Sequence, residues 1–205
     1  MSSGSSTNVL EAPDASHVMR SPFCKPAMQG HPLVGASILS ADFARLADEV
    51  DAVMAAGADA LHVDVMDGHF VPNLSMGPAV CAALRSHVPD AVLDVHLMVE
   101  RPDQFVDAFV SAGADHLTFH VESPVNHVEV ASQIAEANCT AGLAVNPDTP
   151  IEQVLELAEH FSFFLVMSVR PGYSGQSFIP EVLPKVERLA SELGSGIWIQ
   201  MDGGV

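Results

Sequence analysis

The sequence predicts an α/β fold built as a parallel barrel, and three observations carry that expectation. Short apolar runs alternate with stretches of helical period from His31 onward, one helix-strand segment recurs further along, and polar residues stand at the ends of several runs. Regular alternation of this kind implies a parallel sheet covered by helices. An open, doubly wound sheet concentrates its chemistry at one switch point, often beside a glycine-rich turn after the first strand. A barrel instead gathers residues from many strand ends on its C-terminal face. Here Ser37, His62 with Asp64, His96, Ser168 and Asp202 end the first, second, third, sixth and seventh runs, which favours the barrel.

Residues 1–30, rich in Ser, Pro and Ala, read as a disordered leader; they lack the basic stretch followed by an apolar one that marks a secretory signal. Residues 31–205 are then one barrel domain. Leu33 to Leu39 is its first strand, and Ser40 is placed to cap a helix carrying Phe43, Leu46, Val50 and Val53 or Met54, closing at Gly57. Leu61 to Val65 is the second strand, followed by a long loop of the kind that tends to be functional and by a helix over Pro78 to Leu84. Ala91 to Met98 is the third strand, with Asp94 and His96 sharing a face, and Pro102 opens a helix carrying Phe105, Phe109 and Ala112.

Ala112-Gly113-Ala114-Asp115 then repeats Ala56-Gly57-Ala58-Asp59, and a strand follows each, LTFHV in one case and LHVDV in the other. The offset equals two helix-plus-strand units of about 28 residues. Further strands are expected at Ala141 to Val145, Phe163 to Val169 and Ile197 to Met201. Helices separate them around Val125 to Ala137, Ile151 to Ala158 and Pro180 to Leu193.

The totals narrow the partners. Eight Lys and Arg against 26 Asp and Glu give a net charge of −18, which repels nucleic acid and anionic membranes. No apolar run reaches the roughly 18 residues of a membrane span. Cys24, Cys81 and Cys139 are odd in number and widely spaced, as in a reduced, cytoplasmic chain. The two lysines, Lys25 and Lys185, fall in the leader and in a helix, so no strand offers the lysine of Schiff-base chemistry.

The second strand carries the strongest chemical signal. Strand side chains alternate, so His62 and Asp64 share one face while Val63 and Val65 cover the other. An imidazole and a carboxylate on an inward face cost several kcal/mol unless paired or bound to a metal. His96 and Asp202 lie at or just inside other strand ends, and mixed nitrogen and carboxylate ligands suit a divalent transition metal: zinc, iron, manganese or cobalt. Singly, each has an ordinary reading as a helix cap or a satisfied core residue; together they are harder to dismiss. The glycines in Val169 to Phe178 would let backbone N–H groups approach an anion, helped by the helix that follows; a plain Gly-Pro turn explains them equally well. Met66, Met98 and Met167 near strand ends fit core packing or an apolar cap over a small ligand.

From Leu33 to Val205 the sequence resembles the ribulose-phosphate 3-epimerase family, through ASILSADF, LHVDVMDGHFVPN, LDVHLMVERP, MSVRPGYSGQSF and MDGGV. The resemblance implies a (β/α)8 TIM barrel of the ribulose-phosphate-binding type, with one divalent metal, zinc or iron foremost, held by His62, Asp64, His96 and Asp202. It implies acid and base roles for Asp64 and Asp202. It puts substrate contacts on Ser37, His96, Gly172, Tyr173, Ser174, Gly175, Asp202, Gly203 and Gly204, and the apolar cap on Met66, Met98 and Met167. The implied partner is a small ketose phosphate: D-ribulose 5-phosphate and D-xylulose 5-phosphate interconvert through a 2,3-enediolate. The family further implies the pentose phosphate pathway, and a homo-oligomer once the full barrel forms.

Ser174 stands where the family commonly has glycine, Tyr173 replaces its usual aromatic, and Met201 replaces valine. The stretch from 31 to 205 falls short of the ~200 residues of the smallest usual barrels. With no eighth strand after Val205, the sequence is expected to describe a barrel cut short after its seventh strand. Two other readings stay open at this point: a 3-epimerase for a six-carbon substrate such as allulose 6-phosphate, and an inactive fragment.

Overall fold

The computed structural model describes residues 32–205, so the leader expected over residues 1–30 lies outside the described residues. Among the described residues seven strands form one sheet: β1 (Gly35–Ser37), β2 (Ala60–Met66), β3 (Val92–Met98), β4 (His116–His120), β5 (Thr140–Val145), β6 (Phe163–Met167) and β7 (Trp198–Asp202). Their order in the sheet is their order in the chain, and every pairing is parallel. Parallel neighbours taken in sequence order are the topology of a (β/α) barrel, with a crossover helix between strands. The helices are α1 (Leu46–Ala55), α2 (Pro78–His87), α3 (Val106–Ser111), α4 (His127–Glu136), α5 (Glu152–Leu155) and α6 (Leu183–Leu193). The sheet curls far enough for Ser37 of β1, Asp64 of β2 and Asp202 of β7 to line one cavity.

Strand periodicity sorts the side chains into two layers. Leu61, Val63 and Val65 of β2 and Leu93, Val95 and Leu97 of β3 pack outward with Val50, Cys81, Leu84, Phe109, Ile134, Val154 and Leu189 in the main core between strands and helices. Each such side chain contributes about 1.5–3 kcal/mol by leaving water. The alternate positions, His62, Asp64, Asp94, His96, His116, Thr118 and His120, are also buried but point the other way, into the barrel. The polar interior thus comes from the same period-two alternation that builds the core.

The repeated Ala-Gly-Ala-Asp does the same mechanical work twice. After α1, the Ala58 and Gly57 N–H groups donate to the Val53 and Met54 carbonyls; after α3, those of Ala114 and Gly113 donate to Phe109 and Val110. Gly57 and Gly113 take φ of 101° and 97°, the left-handed turn that ends a helix this way. The aspartate then reaches sideways: Asp59 accepts the Val34 N–H and Asp115 the Leu93 N–H, each at 2.8 Å, fixing where the neighbouring strand begins.

Several sequence-based boundaries are corrected. Asp42, not Ser40, caps the first helical segment, accepting the Ala44 N–H at 3.0 Å; a 3-10 turn over Phe43–Arg45 then leads into α1. The helix expected to begin at Pro102 starts as a 3-10 turn, Pro102–Gln104, and becomes α-helical at Val106. The segment from Ile151 to Ala158 forms only the short α5, with a further 3-10 turn at Ala158–His160. β6 ends at Met167, and the next residue, Ser168, donates both its N–H and its hydroxyl to the Asp202 carbonyl at the end of β7.

Candidate active site and metal centre

The cavity at the C-terminal ends of the strands, about 290 Å³, collects residues from distant parts of the chain. Ser37 and Asp64 line it from β1 and β2, Asp202, Gly203 and Gly204 from the end of β7, and Gly172, Tyr173, Ser174 and Gly175 from the loop after β6. Met66, Met98 and Met167 supply its apolar wall. Every proposed substrate-contact residue except His96, which is fully buried, therefore faces one space.

His62, Asp64, His96 and Asp202 each offer one ligand atom, and all four atoms lie within 4.8 Å of one another. Register explains the convergence: β2 and β3 pair so that Asp64 lies opposite His96, while His62 lies between Ser37 and Asp94. Asp64 Oδ1 is 3.3 Å from His62 Nε2 and 3.1 Å from His96 Nδ1, and its Oδ2 accepts a 2.7 Å bond from the Ser37 hydroxyl. Asp202 Oδ2 lies 3.9 Å from His96 Nδ1.

The donor set fits a divalent cation. His62 Nε2 is buried and makes no hydrogen bond among the described residues, while Nδ1 on the far side of the ring is 2.7 Å from Asp94 Oδ2. A carboxylate behind a histidine, taking one N–H and leaving the other nitrogen free, is how proteins orient a metal-binding imidazole. Burial opposes charge on His62, yet Asp64 and Asp94 raise its pKa well above the usual histidine range. The cluster draws positive charge.

The two carboxylates are displaced in opposite directions. Burial works against ionising Asp64, but His62 and then His96 overcome it and hold the carboxyl far below the ordinary range. Asp202 is pushed up, by burial first and by the nearby Asp64, against the partial opposition of His62 and His96. Paired carboxyls whose environments separate their pKa values are an acid and a base in waiting.

The loops expected to meet an anion are shaped by backbone. Gly203 and Gly204 take φ of 104° and 74°, and a Cβ on Gly204 would lie 2.7 Å from the Phe178 nitrogen, so only glycine lets these two loops close. The expected contribution of a helix N-terminus is not found: the loop after β6 lines the cavity only as far as Gln176, whereas α6 does not begin until Leu183. Ser174, the departure from the family pattern, places its hydroxyl 2.7 Å from that of Ser40 at the rim.

The Ribulose-phosphate 3 epimerase family model matches residues 33–205. The chain belongs to the ribulose-phosphate 3-epimerase family. It is 50% identical over 179 residues to the ribulose-phosphate 3-epimerase of Mycobacterium tuberculosis, covering 86% of this chain and 77% of that protein. It is 48% identical over 177 residues to the Mycobacterium leprae enzyme of the same name, covering 85% and 78%. Among solved structures it is similar to 3-keto-L-gulonate-6-phosphate decarboxylase from Vibrio cholerae, with a TM-score of 0.61, 15% identity and coverage of 86% of this chain and 80% of that one. At that identity the likeness supports the barrel fold alone. No helix among the described residues is long and apolar enough to cross a membrane.

Sequence reasoning missed three residues of the family site's surroundings. Asp94 shares a face with His96 but has no role assigned from the sequence, and neither do His120, inside the LTFHV strand, and Glu122, just after it. The repeat held the missing signal, because aligning LHVDV with LTFHV sets His120 on the position of Asp64.

Proposed function

We propose that this chain interconverts D-ribulose 5-phosphate and D-xylulose 5-phosphate by inverting C3, with Asp64 and Asp202 moving the proton on opposite faces of the sugar. The observation that carries this reading is the meeting of those two carboxyls in a single cavity, one held far below the ordinary carboxylate range and the other pushed above it. In one direction the Asp64 carboxylate removes the C3 proton and Asp202 delivers a proton to the other face of the 2,3-enediolate; in the reverse direction the roles exchange. Ser37, bonded to Asp64 Oδ2, holds the base in position and occupies the oxygen not facing the histidines.

His62, Asp64, His96 and Asp202 are the proposed ligands of one divalent cation, zinc or iron foremost, manganese or cobalt as substitutes. When bound, such an ion supplies a Lewis acid for negative charge developing on the substrate oxygens. Gly172 to Gly175 with Gly203 and Gly204 receive the phosphate, and Met66, Met98 and Met167 cover the apolar side of the intermediate and keep water from it. The substrate pair puts the reaction in the pentose phosphate pathway. Cys81 and Cys139, both free and buried, suit the reducing cytoplasm.

Asp64→Asn and Asp202→Asn are each expected to lower kcat by at least ~100-fold with circular dichroism unchanged, the usual loss of a general acid or base. A coupled assay with both pentulose phosphates reads this. Near-parent turnover in either variant removes that residue from its role, and a tenfold preference for a hexulose phosphate overturns the substrate.

A further inference from the structure

On the side of His96 away from the cavity a chain of buried side chains continues. His96 Nε2 lies 2.8 Å from His120 Nε2, and His120 Nδ1 lies 3.0 Å from Glu122 Oε2. The two rings are stacked at 27° with centroids 5.0 Å apart, and both are fully buried, with Phe70 over His120 at 4.7 Å. Glu122 is itself fixed, because its Oε1 accepts the Asn146 N–H at 2.9 Å. The loop that carries Asn146 is clamped in turn by Lys185, whose Nζ donates to the Asn146, Pro147 and Thr149 carbonyls at 2.8, 2.7 and 2.6 Å.

Proton accounting along this chain has one low-cost solution. A carboxylate only accepts, so His120 carries a hydrogen on Nδ1. Two ring nitrogens 2.8 Å apart share a single hydrogen, and a second one on His120 would bury a charged ring against another imidazole. His120 Nε2 is therefore the acceptor and His96 carries its hydrogen on Nε2. That leaves the lone pair on His96 Nδ1, the nitrogen that faces Asp64 and Asp202.

We infer that Glu122 and His120 are positioning residues that fix the tautomer and ring orientation of His96, so that Nδ1 is presented to the cation. This role presupposes the metal site proposed above. It complements what Asp94 does for His62 in a single step: the shorter arrangement frees Nε2 of one histidine, and the longer one frees Nδ1 of the other.

The test uses the zinc-loaded protein labelled with 15N-histidine, together with zinc affinity measured by competition with a chromophoric chelator. The parent is expected to show His120 protonated on Nδ1 and bare on Nε2. His120→Leu, which leaves the His96 N–H without an acceptor, and Glu122→Gln, which turns one of its two acceptor oxygens into a donor, should each weaken zinc binding about 10–100-fold. His120→Gln, which restores an acceptor oxygen, should recover most of that loss; a purely space-filling role would not distinguish it from His120→Leu. Zinc affinity equal to the parent in His120→Leu and Glu122→Gln, or a hydrogen on His120 Nε2 in the parent, overturns the role while leaving the metal site standing. A parent that takes up no zinc overturns the metal site and this role with it. Should a variant fail to fold, the parent spectrum alone decides.

Discussion

At the scale of single residues, the carboxylates divide by what they accept. Asp67 follows directly on the end of β2: its Oδ1 takes the His69 and Phe70 N–H groups at 2.8 and 2.9 Å, and its Oδ2 takes the Glu100 N–H at 2.8 Å. Burial alone would raise its pKa, but the bonds from Glu100, His69 and Phe70 hold it below the ordinary carboxylate range. A folded pKa below the unfolded one stabilises the protein fully above the unfolded value, about 3.9, and that contribution fades as pH falls through the folded value. Asp67→Asn is therefore expected to cost about 1–2 kcal/mol at neutral pH. In urea unfolding the gap between parent and variant should be flat above about pH 5 and should shrink toward about pH 3. A gap independent of pH would show that the charge of Asp67 does not matter.

Residue identity was the most legible level of the sequence. His62 and Asp64 declare themselves because strand period puts two costly groups on one face. Asp202 declares itself through the Asp-Gly-Gly that must follow a strand end. His120 did not, because a lone histidine in an apolar strand has an ordinary reading, and nothing local says that another imidazole lies 2.8 Å away. Ser40 and Asp42 are both good caps, and only the observed backbone chooses between them.

At the scale of elements, the repeated Ala-Gly-Ala-Asp offers an internal comparison. Asp59 is exposed and accepts one N–H, whereas Asp115 is buried, accepts the Leu93 N–H and pairs with Arg85 at 2.5 Å. Asp59→Ala should cost about 1 kcal/mol, the worth of one exposed hydrogen bond. Asp115→Ala should cost about 3–5 kcal/mol, because the largely buried Arg85 loses its counter-charge. Urea denaturation of the two variants checks this, and equal losses would mean that the repeat is stabilised by its helix-ending turns alone. Element type and order were readable from the sequence, since apolar period and the Gly-Asp punctuation are local. Element ends were less so: where β6 gives way to its loop, the Ser168 hydroxyl donates to the Asp202 and Gly203 carbonyls, a contact made across the sheet.

At the scale of the whole molecule, register converts these local patterns into a site. The topology β1 to β7 in order was foreseeable from the alternation of strand and helix, but the pairing of Asp64 with His96, and of Met167 with Asp202, is a property of the assembled sheet. The main core lies between strands and helices, which frees the barrel interior to hold polar groups. Two histidines, each backed by a chain ending in a carboxylate, and two carboxyls whose pKa values are pushed in opposite directions then converge at the strand ends. That arrangement is suited to moving a proton from one face of a carbon to the other.

The measurement that bears most directly on this account is proton magnetic resonance of D-ribulose 5-phosphate incubated with the zinc-reconstituted protein in deuterium oxide. The account predicts that D-xylulose 5-phosphate forms carrying solvent deuterium at C3, because the proton taken by one carboxyl is not the one delivered by the other. Product that keeps its original hydrogen at C3, or release of inorganic phosphate with no epimer, would contradict it.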